Sequence, residues 1–259
     1  MKLKNKVAII YGAGGVGAAV ASAFVREGAT VFLASRSLAR ARAVAAELGA
    51  GVEAVELDAL DEWAIDSHLD RVIERAGRVD ISFNAVGIAN TTLQGVSLGT
   101  LDVDQFLLPI TTYARSYFLT SRLAARHMVA RKSGVILTVT SGPSRTGIPM
   151  MGGVAPAMSA VESLTRGLSA ELAPHGVRVV GLRPLGMPDS STIDEVYGLH
   201  AKAWGISRAQ FQEKIVGRTH SRRLPALREM ANAAAFAASD DASAMTGTIL
   251  NLSMGSLDD

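Results

Sequence analysis

Five consecutive apolar positions, Val7 to Tyr11, stop abruptly at Gly12-Ala13-Gly14-Gly15-Val16-Gly17, and an amphipathic segment follows. The same pairing of a short apolar run with a longer amphipathic one recurs along the chain. Further runs rich in β-branched and aliphatic residues fall at 30–34, 52–57, 80–83, 134–139, 177–182 and 248–251. Each has the length of a strand buried on both faces. The segments between them predict helices over 17–27, 38–48, 61–76, 102–131, 156–173 and 227–238. Strands that alternate with helices must pair in parallel through crossovers, because tight turns cannot join parallel strands. The pattern therefore predicts one α/β domain over 1–259, a doubly wound sheet that binds ligands at the strands' C-terminal ends. Residues 186–224 break the rhythm. Within them Ile193, Val196, Tyr197, His200 and Trp204 fall at helical spacing, which fits either a helical flap over a substrate crevice or an ordinary packed subdomain.

Composition narrows the function classes. Of 259 residues 48% are hydrophobic, and 26 basic side chains against 24 acidic ones leave a net charge of +2. That excludes a disordered chain, and the mixing of charges along the sequence gives no basic patch for nucleic acid. The absence of cysteine removes disulfides, thiolate metal sites and thiol catalysis, and fits a cytoplasmic setting. Lys2, Lys4 and Lys6 ahead of an apolar stretch, with Ala21-Ser22-Ala23 beyond, have the outline of a secretory signal, but a strand followed by a glycine turn explains the same residues better. No stretch reaches the roughly 20 uninterrupted apolar residues that a membrane span needs.

The glycine turn carries the first chemistry. Gly12, Gly14 and Gly17 match G-x-G-x-x-G between a predicted strand and a predicted helix. Glycine there permits a tight turn and lets main-chain N–H groups, Gly15 included, approach a diphosphate at the helix N-terminus. An acidic residue about 20 positions later would bind the ribose of NAD. The second strand instead ends at Ser35-Arg36. A guanidinium attracts a 2′-phosphate, so NADP(H) is favoured over NAD(H), unless Arg36 is only a solvated surface charge.

These landmarks, with several more in order, resemble the short-chain dehydrogenase/reductase family over essentially the whole chain. Asp58, followed by Ala59, stands where the family contacts adenine, or else merely caps the next segment. Asn84-Ala85-Val86-Gly87 is similar to its Asn-Asn-Ala-Gly segment. Thr140-Ser141 looks like its catalytic serine region, Glu162 to Glu171 lies in a helix like its central interface helix, Pro184-Leu185-Gly186 follows strand six, and Thr246-Gly247 precedes the last strand. The resemblance implies a seven-stranded sheet in the order 3-2-1-4-5-6-7 and nicotinamide-dependent carbonyl or alcohol redox chemistry on a small molecule. It also implies a homodimer or homotetramer built on helices 113–130 and 156–173. The cofactor-binding set it suggests is Gly12, Gly14, Gly15, Gly17, Ser35, Arg36, Asp58, Ala59, Asn84, Gly87 and Pro184.

The sequence departs from that family where the proton is handled. The family's Tyr-x-x-x-Lys acid pair starts about thirteen residues after the serine, and there Val154 and Met158 stand in place of tyrosine and lysine. No tyrosine in the chain has a lysine four residues later. A phenol and an ammonium four apart share one helix face, where the cation lowers the phenol's pKa; valine and methionine cannot do this. Counting back from Met128 puts Tyr113 near the family's active-site asparagine, so Tyr113 is either a replacement phenol on the opposite wall or a core or interface residue. Ser141 polarises a substrate oxygen or satisfies its own turn. Ser144 and Arg145, on the same loop, could meet a substrate anion. The five histidines are dispersed, no G-x-S-x-G elbow is present, and no G-x-x-x-x-G-K-[ST] loop occurs, which argues against a zinc site, a hydrolase and a nucleotide triphosphatase. Three functions fit: a divergent NADP(H) oxidoreductase, a dinucleotide-binding sensor or scaffold, and a non-redox enzyme on the same fold.

Overall fold

The computed structural model describes residues 1–258. Seven strands, β1 (Val7–Tyr11), β2 (Thr30–Ser35), β3 (Val52–Glu56), β4 (Ile81–Asn84), β5 (Gly134–Val139), β6 (Val177–Pro184) and β7 (Thr248–Leu252), form one parallel sheet in the order 3-2-1-4-5-6-7. Eight α-helices accompany them: α1 (Gly15–Arg26), α2 (Leu38–Leu48), α3 (Glu62–Ala76), α4 (Val103–Arg131), α5 (Val154–Leu172), α6 (Ser191–Ala203), α7 (Arg208–Gly217) and α8 (Leu227–Ala238).

The uninterrupted apolar strands follow from burial on both faces. Ile10, Leu33, Phe83, Leu137 and Val180 join Val20 and Phe24 of α1 and Met230 and Ala234 of α8 in one core layer. Their neighbours Ile9, Phe32, Ile136 and Val179 point the other way, onto Ile65 and Leu69 of α3 and Leu123 and Met128 of α4. The period of two along each strand thus builds two cores from single runs. Helix ends are fixed locally. The Asp61 side chain accepts the Ala64 N–H at 3.0 Å and starts α3, while Gly77 in the left-handed region ends it.

The structure shifts several of the expected boundaries by one or two residues, α5 for example running from 154 rather than 156. Helix α1 starts at Gly15 rather than 17. Strand β4 runs to Asn84, because buried Asp80 stands before it and accepts the Val7 N–H at 2.8 Å. The insertion holds two helices: Ser207 and Gln210 cap α7 reciprocally, and Arg208 bonds Asp194 of α6 at 2.6 Å, tying the two together. Tyr197, Phe211, Val196 and Ala201 form its own small core. The segment that resembled a secretory signal is an interior strand of the sheet, β1, and the helix after it.

Candidate active site

Strand order reverses between β1 and β4, and the crevice expected at such a switch point is present. It is a cavity of about 560 Å³ at the strands' C-terminal ends, closed on one side by α6 and α7. Gly12, Gly14, Gly15, Ser35, Arg36, Gly87, Tyr113, Ser141, Val154, Met158 and Pro184, all singled out from sequence, line it together.

The glycines are there for backbone approach. Gly12 has φ +114°, and a Cβ on it would lie 2.4 Å from the Ala85 carbonyl oxygen. A Cβ on Gly17 would lie 1.8 Å from the Gly12 carbonyl oxygen, so α1 packs onto its own loop only with glycine there. Gly14 differs: nothing lies within 4 Å of its Cβ position, and it forms the N-cap of α1 without a side-chain cap. The first-turn N–H groups of α1 are therefore open to the cavity, with room beside them for an anion. These features fit a dinucleotide diphosphate.

Arg36 is exposed and borders the cavity together with Arg40, a residue the sequence reading passed over although it stands four positions on. Ser35 Oγ accepts the Ser37 N–H at 3.2 Å, and Ser37 Oγ caps α2 through the Arg40 N–H at 3.3 Å. The two guanidinium groups thus sit at a helix N-terminus, where an anion is favoured.

Four expected cofactor residues lie off the lining. Gly17 is buried under the loop. Asp58 Oδ1 accepts the Leu60 N–H at 3.0 Å and so closes its own turn, and Ala59 is buried behind it. Asn84, 2% exposed, receives the Val86 N–H at 2.9 Å and donates to Thr120 Oγ1 at 3.1 Å; it holds the loop that reaches the cavity and does not face it. Ser144, read as a possible anion contact, gives its hydroxyl to Glu162 at 2.5 Å, and Arg145 is exposed outside the lining.

Ser141 is half-buried, and its hydroxyl neither caps the following 3₁₀ turn at Gly142–Ser144 nor bonds another described residue. Its flanks are fixed instead. Thr140 Oγ1 donates to Glu162 Oε1 at 3.1 Å, Ser144 donates to the same oxygen, and Arg183 Nε of β6 donates to it at 2.7 Å. Glu162 and Arg183 are both 3% exposed, so a buried ion pair anchors the serine loop from both ends. Sequence gave no signal for this pair.

Across the cavity Tyr113 packs against Val154, Met158 and Leu93. Burial raises its phenol to about 12, opposed by a hydrogen bond from the Ile88 backbone. One turn later Tyr117 is fully committed: its hydroxyl bonds the Val139 carbonyl at 2.7 Å and lies 3.1 Å from that of Asn84, stitching β5 to β4. The α6 wall adds a polar row in which Gln94 bridges Asn90 at 2.7 Å and His200 at 3.2 Å; His200 belongs to the helical pattern of the insertion, whereas no sequence pattern pointed to Asn90 or Gln94.

The family model described as enoyl-(acyl carrier protein) reductase matches residues 12–256. The chain is 29% identical over 257 residues to a sorbitol dehydrogenase of Cereibacter sphaeroides, covering 98% of each. Among solved structures, an NAD⁺-bound xylitol dehydrogenase superposes with a TM-score of 0.89 at 25% identity, over 96% of this chain and 98% of that one. A 3-ketoacyl-(acyl-carrier-protein) reductase from Brucella melitensis, complexed with NADH, does so with a TM-score of 0.85 at 27% identity, over 98% and 99%. Among the described residues no helix is long and apolar enough to cross a membrane. With the seven-stranded order, the glycine loop and a match across nearly its full length, the chain belongs to the short-chain dehydrogenase/reductase family of oxidoreductases.

Proposed function

We propose that the protein is an NADP(H)-dependent oxidoreductase that reduces the carbonyl group of a small molecule through a rearranged proton-donating wall. One observation carries this reading: a single cavity runs from the glycine loop and Arg36 to Ser141 and Tyr113. Main-chain N–H groups at Ala13 to Val16 would cradle the diphosphate, the Gly12 N–H being held by the Ala34 carbonyl at 2.7 Å, and Gly87 and Pro184 flank the path toward the serine. The two solved relatives hold NAD⁺ and NADH. In this chain no carboxylate ends β2, and Arg36 with Arg40 suits a ribose 2′-phosphate. The reduced dinucleotide, when bound, supplies hydride.

The chain's own residues do the rest. Ser141, its hydroxyl unspent, donates a hydrogen bond to the substrate carbonyl and polarises it. Tyr113 is neutral at physiological pH and gives its proton to the same oxygen as negative charge develops there. Val154 and Met158 supply neither proton nor charge; they form the apolar wall that holds the phenol. Helices α6 and α7 act as the substrate flap.

The test is NADPH oxidation, followed by absorbance, with aldehydes, ketones and quinones. Tyr113→Phe should lower kcat roughly 10²-fold with NADPH affinity unchanged; undiminished turnover would remove the phenol from the mechanism. The apolar pair at Val154 and Met158 also favours a second reading, a dinucleotide-binding sensor or scaffold. Tight NADPH binding with no turnover on any carbonyl class would select it, and failure to bind either nucleotide would point to a non-redox enzyme.

We further propose a homodimer or homotetramer joined through α4 and α5. Leu107 and Phe118 of α4 are exposed, and α5 presents small exposed residues at Ser159, Ala160, Ser163 and Gly167, which suits close helix approach. A monomeric mass by sedimentation at micromolar concentration would refute this.

A further inference from the structure

Two polar atoms in the α6 wall of the cavity lack a partner among the described residues: Tyr197 Oη and His200 Nδ1. Their side chains belong to residues only 5% and 1% exposed. A buried polar atom without a hydrogen bond is costly and uncommon, so two on one cavity wall call for an occupant.

The hydrogen-bond row fixes what that occupant must offer. The Ile88 carbonyl can only accept, so the Asn90 atom 3.3 Å from it is the amide nitrogen. Asn90 therefore turns its oxygen to Gln94, whose Nε2 donates to it at 2.7 Å. Gln94 in turn presents Oε1 to His200 Nε2 at 3.2 Å, and that imidazole nitrogen must carry the proton. Burial favours the neutral ring. Stacked on Phe211 with centroids 5.5 Å apart, His200 is held as the tautomer whose Nδ1 is a bare acceptor. Tyr197 Oη can donate or accept, and sits against the backbone of Gly186.

Charge adds a second constraint. Among the described lining residues the only formal charges are Arg36 and Arg40, beyond the end of β2. The sheet order puts β2 four places from β6, the strand that leads into α6. The α6 end of the crevice thus has no cation in its lining; the Arg208 guanidinium, 5.7 Å over the Tyr197 ring, lies behind the wall and is paired with Asp194 at 2.6 Å.

We propose that this end binds a neutral hydroxylated carbonyl compound, with a substrate hydroxyl donating to His200 Nδ1 and a second oxygen engaging Tyr197 Oη. Asn90 and Gln94 are positioning residues that set the tautomer. The assignment rests on the reading of a carbonyl substrate given above, but its test does not require turnover.

The experiment is an NMR titration of the full-length protein, with and without saturating NADP⁺, using 2-hydroxycyclohexanone, cyclohexanone and cyclohexanone-2-carboxylate. The hydroxyketone should bind roughly tenfold or more tighter than either analogue, since the ketone leaves Nδ1 bare and the carboxylate brings an uncompensated charge. His200→Phe, which keeps a ring of similar size, should bring hydroxyketone and ketone within about twofold of each other while NADPH affinity stays constant. Equal binding of all three by the wild type, no detectable hydroxyketone binding, or a preference that survives in His200→Phe would each overturn the proposal. Hydroxyketone preference without NADPH oxidation would instead remove the redox reading and leave this site standing.

Discussion

Removing the Glu162 carboxylate tests how the serine loop is held. Glu162 Oε1 receives Thr140 Oγ1, Ser144 Oγ and Arg183 Nε at 3.1, 2.5 and 2.7 Å, and Oε2 receives Arg183 Nη2 at 3.3 Å. Both ions of the pair are 3% exposed, so solvent cannot replace the lost anion. Taking one partner from such a pair costs about 3–5 kcal/mol, against a total stability of about 5–15 kcal/mol for a folded domain. For a chain of this size that corresponds to a fall in Tm of roughly 6–20 °C. Glu162→Ala should still fold, with that Tm loss in a calorimetric scan. It should also lower kcat while leaving NADPH affinity alone, because Thr140 and Ser144 flank Ser141 and both lose their anchor. Glu162→Gln keeps an acceptor for the two hydroxyls and should recover more of kcat than of Tm. A Glu162→Ala protein that melts within about 2 °C of wild type would refute the energetic argument, and one with normal turnover would refute the positioning role.

Other predictions address the cofactor and acid stability. Arg36→Ala combined with Arg40→Ala should weaken NADPH binding roughly 10- to 100-fold and leave NADH unchanged, measured by fluorescence titration; parallel loss of both nucleotides would contradict a 2′-phosphate site. Gly14→Ala should keep its Tm and lose dinucleotide affinity, since its Cβ meets no protein atom, whereas Gly17→Ala should lower Tm because its Cβ would collide with the Gly12 carbonyl. Burial holds His68 down at about 4. The unfolded chain, with an ordinary imidazole near 6.5, takes up that proton first. Its contribution to stability is thus complete above pH 6.5 and is lost as pH falls toward 4, by about 2–3 kcal/mol. Urea melts at pH 7 and pH 4.5 should differ less in His68→Leu than in wild type, and equal differences would refute this.

The strands were legible because central parallel strands need apolar residues on both faces, and Val7 to Tyr11 is such a run. The start of α1 was not: Gly15 has low helix propensity, yet the Ala18 N–H donates to the Gly14 carbonyl at 2.8 Å and draws the glycine-rich turn into the helix. Asp80 looked like strand and lies before it, because its buried carboxylate serves the Val7 N–H. In the site, residues next to a strand end could be placed, and Arg40 was within reach through its spacing from Arg36. The Gln94 and His200 contact joins positions 106 apart, and Glu162 of α5 meets Arg183 near the end of β6, 21 positions on. No local pattern encodes such meetings; only the crossover geometry brings them together.

The rearranged wall also predicts a direction for the chemistry. In the proposed mechanism carbonyl reduction uses the protonated phenol, and with Tyr113 raised to about 12 that form dominates throughout physiological pH. Alcohol oxidation uses the phenolate, of which only a fraction of about 10⁻⁵ exists at pH 7. Reduction should therefore be nearly independent of pH between 6 and 9, while oxidation by NADP⁺ rises about tenfold per pH unit across that range. Met158 packs in the same cluster as Tyr113, so Met158→Lys places an ammonium beside the phenol. A nearby cation stabilises the phenolate, so this variant should speed oxidation at pH 7 and shift its rising limb to lower pH, with little change in reduction. Oxidation that is flat with pH in the wild type, or a Met158→Lys profile that does not move although the variant binds NADPH normally, would show that Tyr113 does not carry the proton.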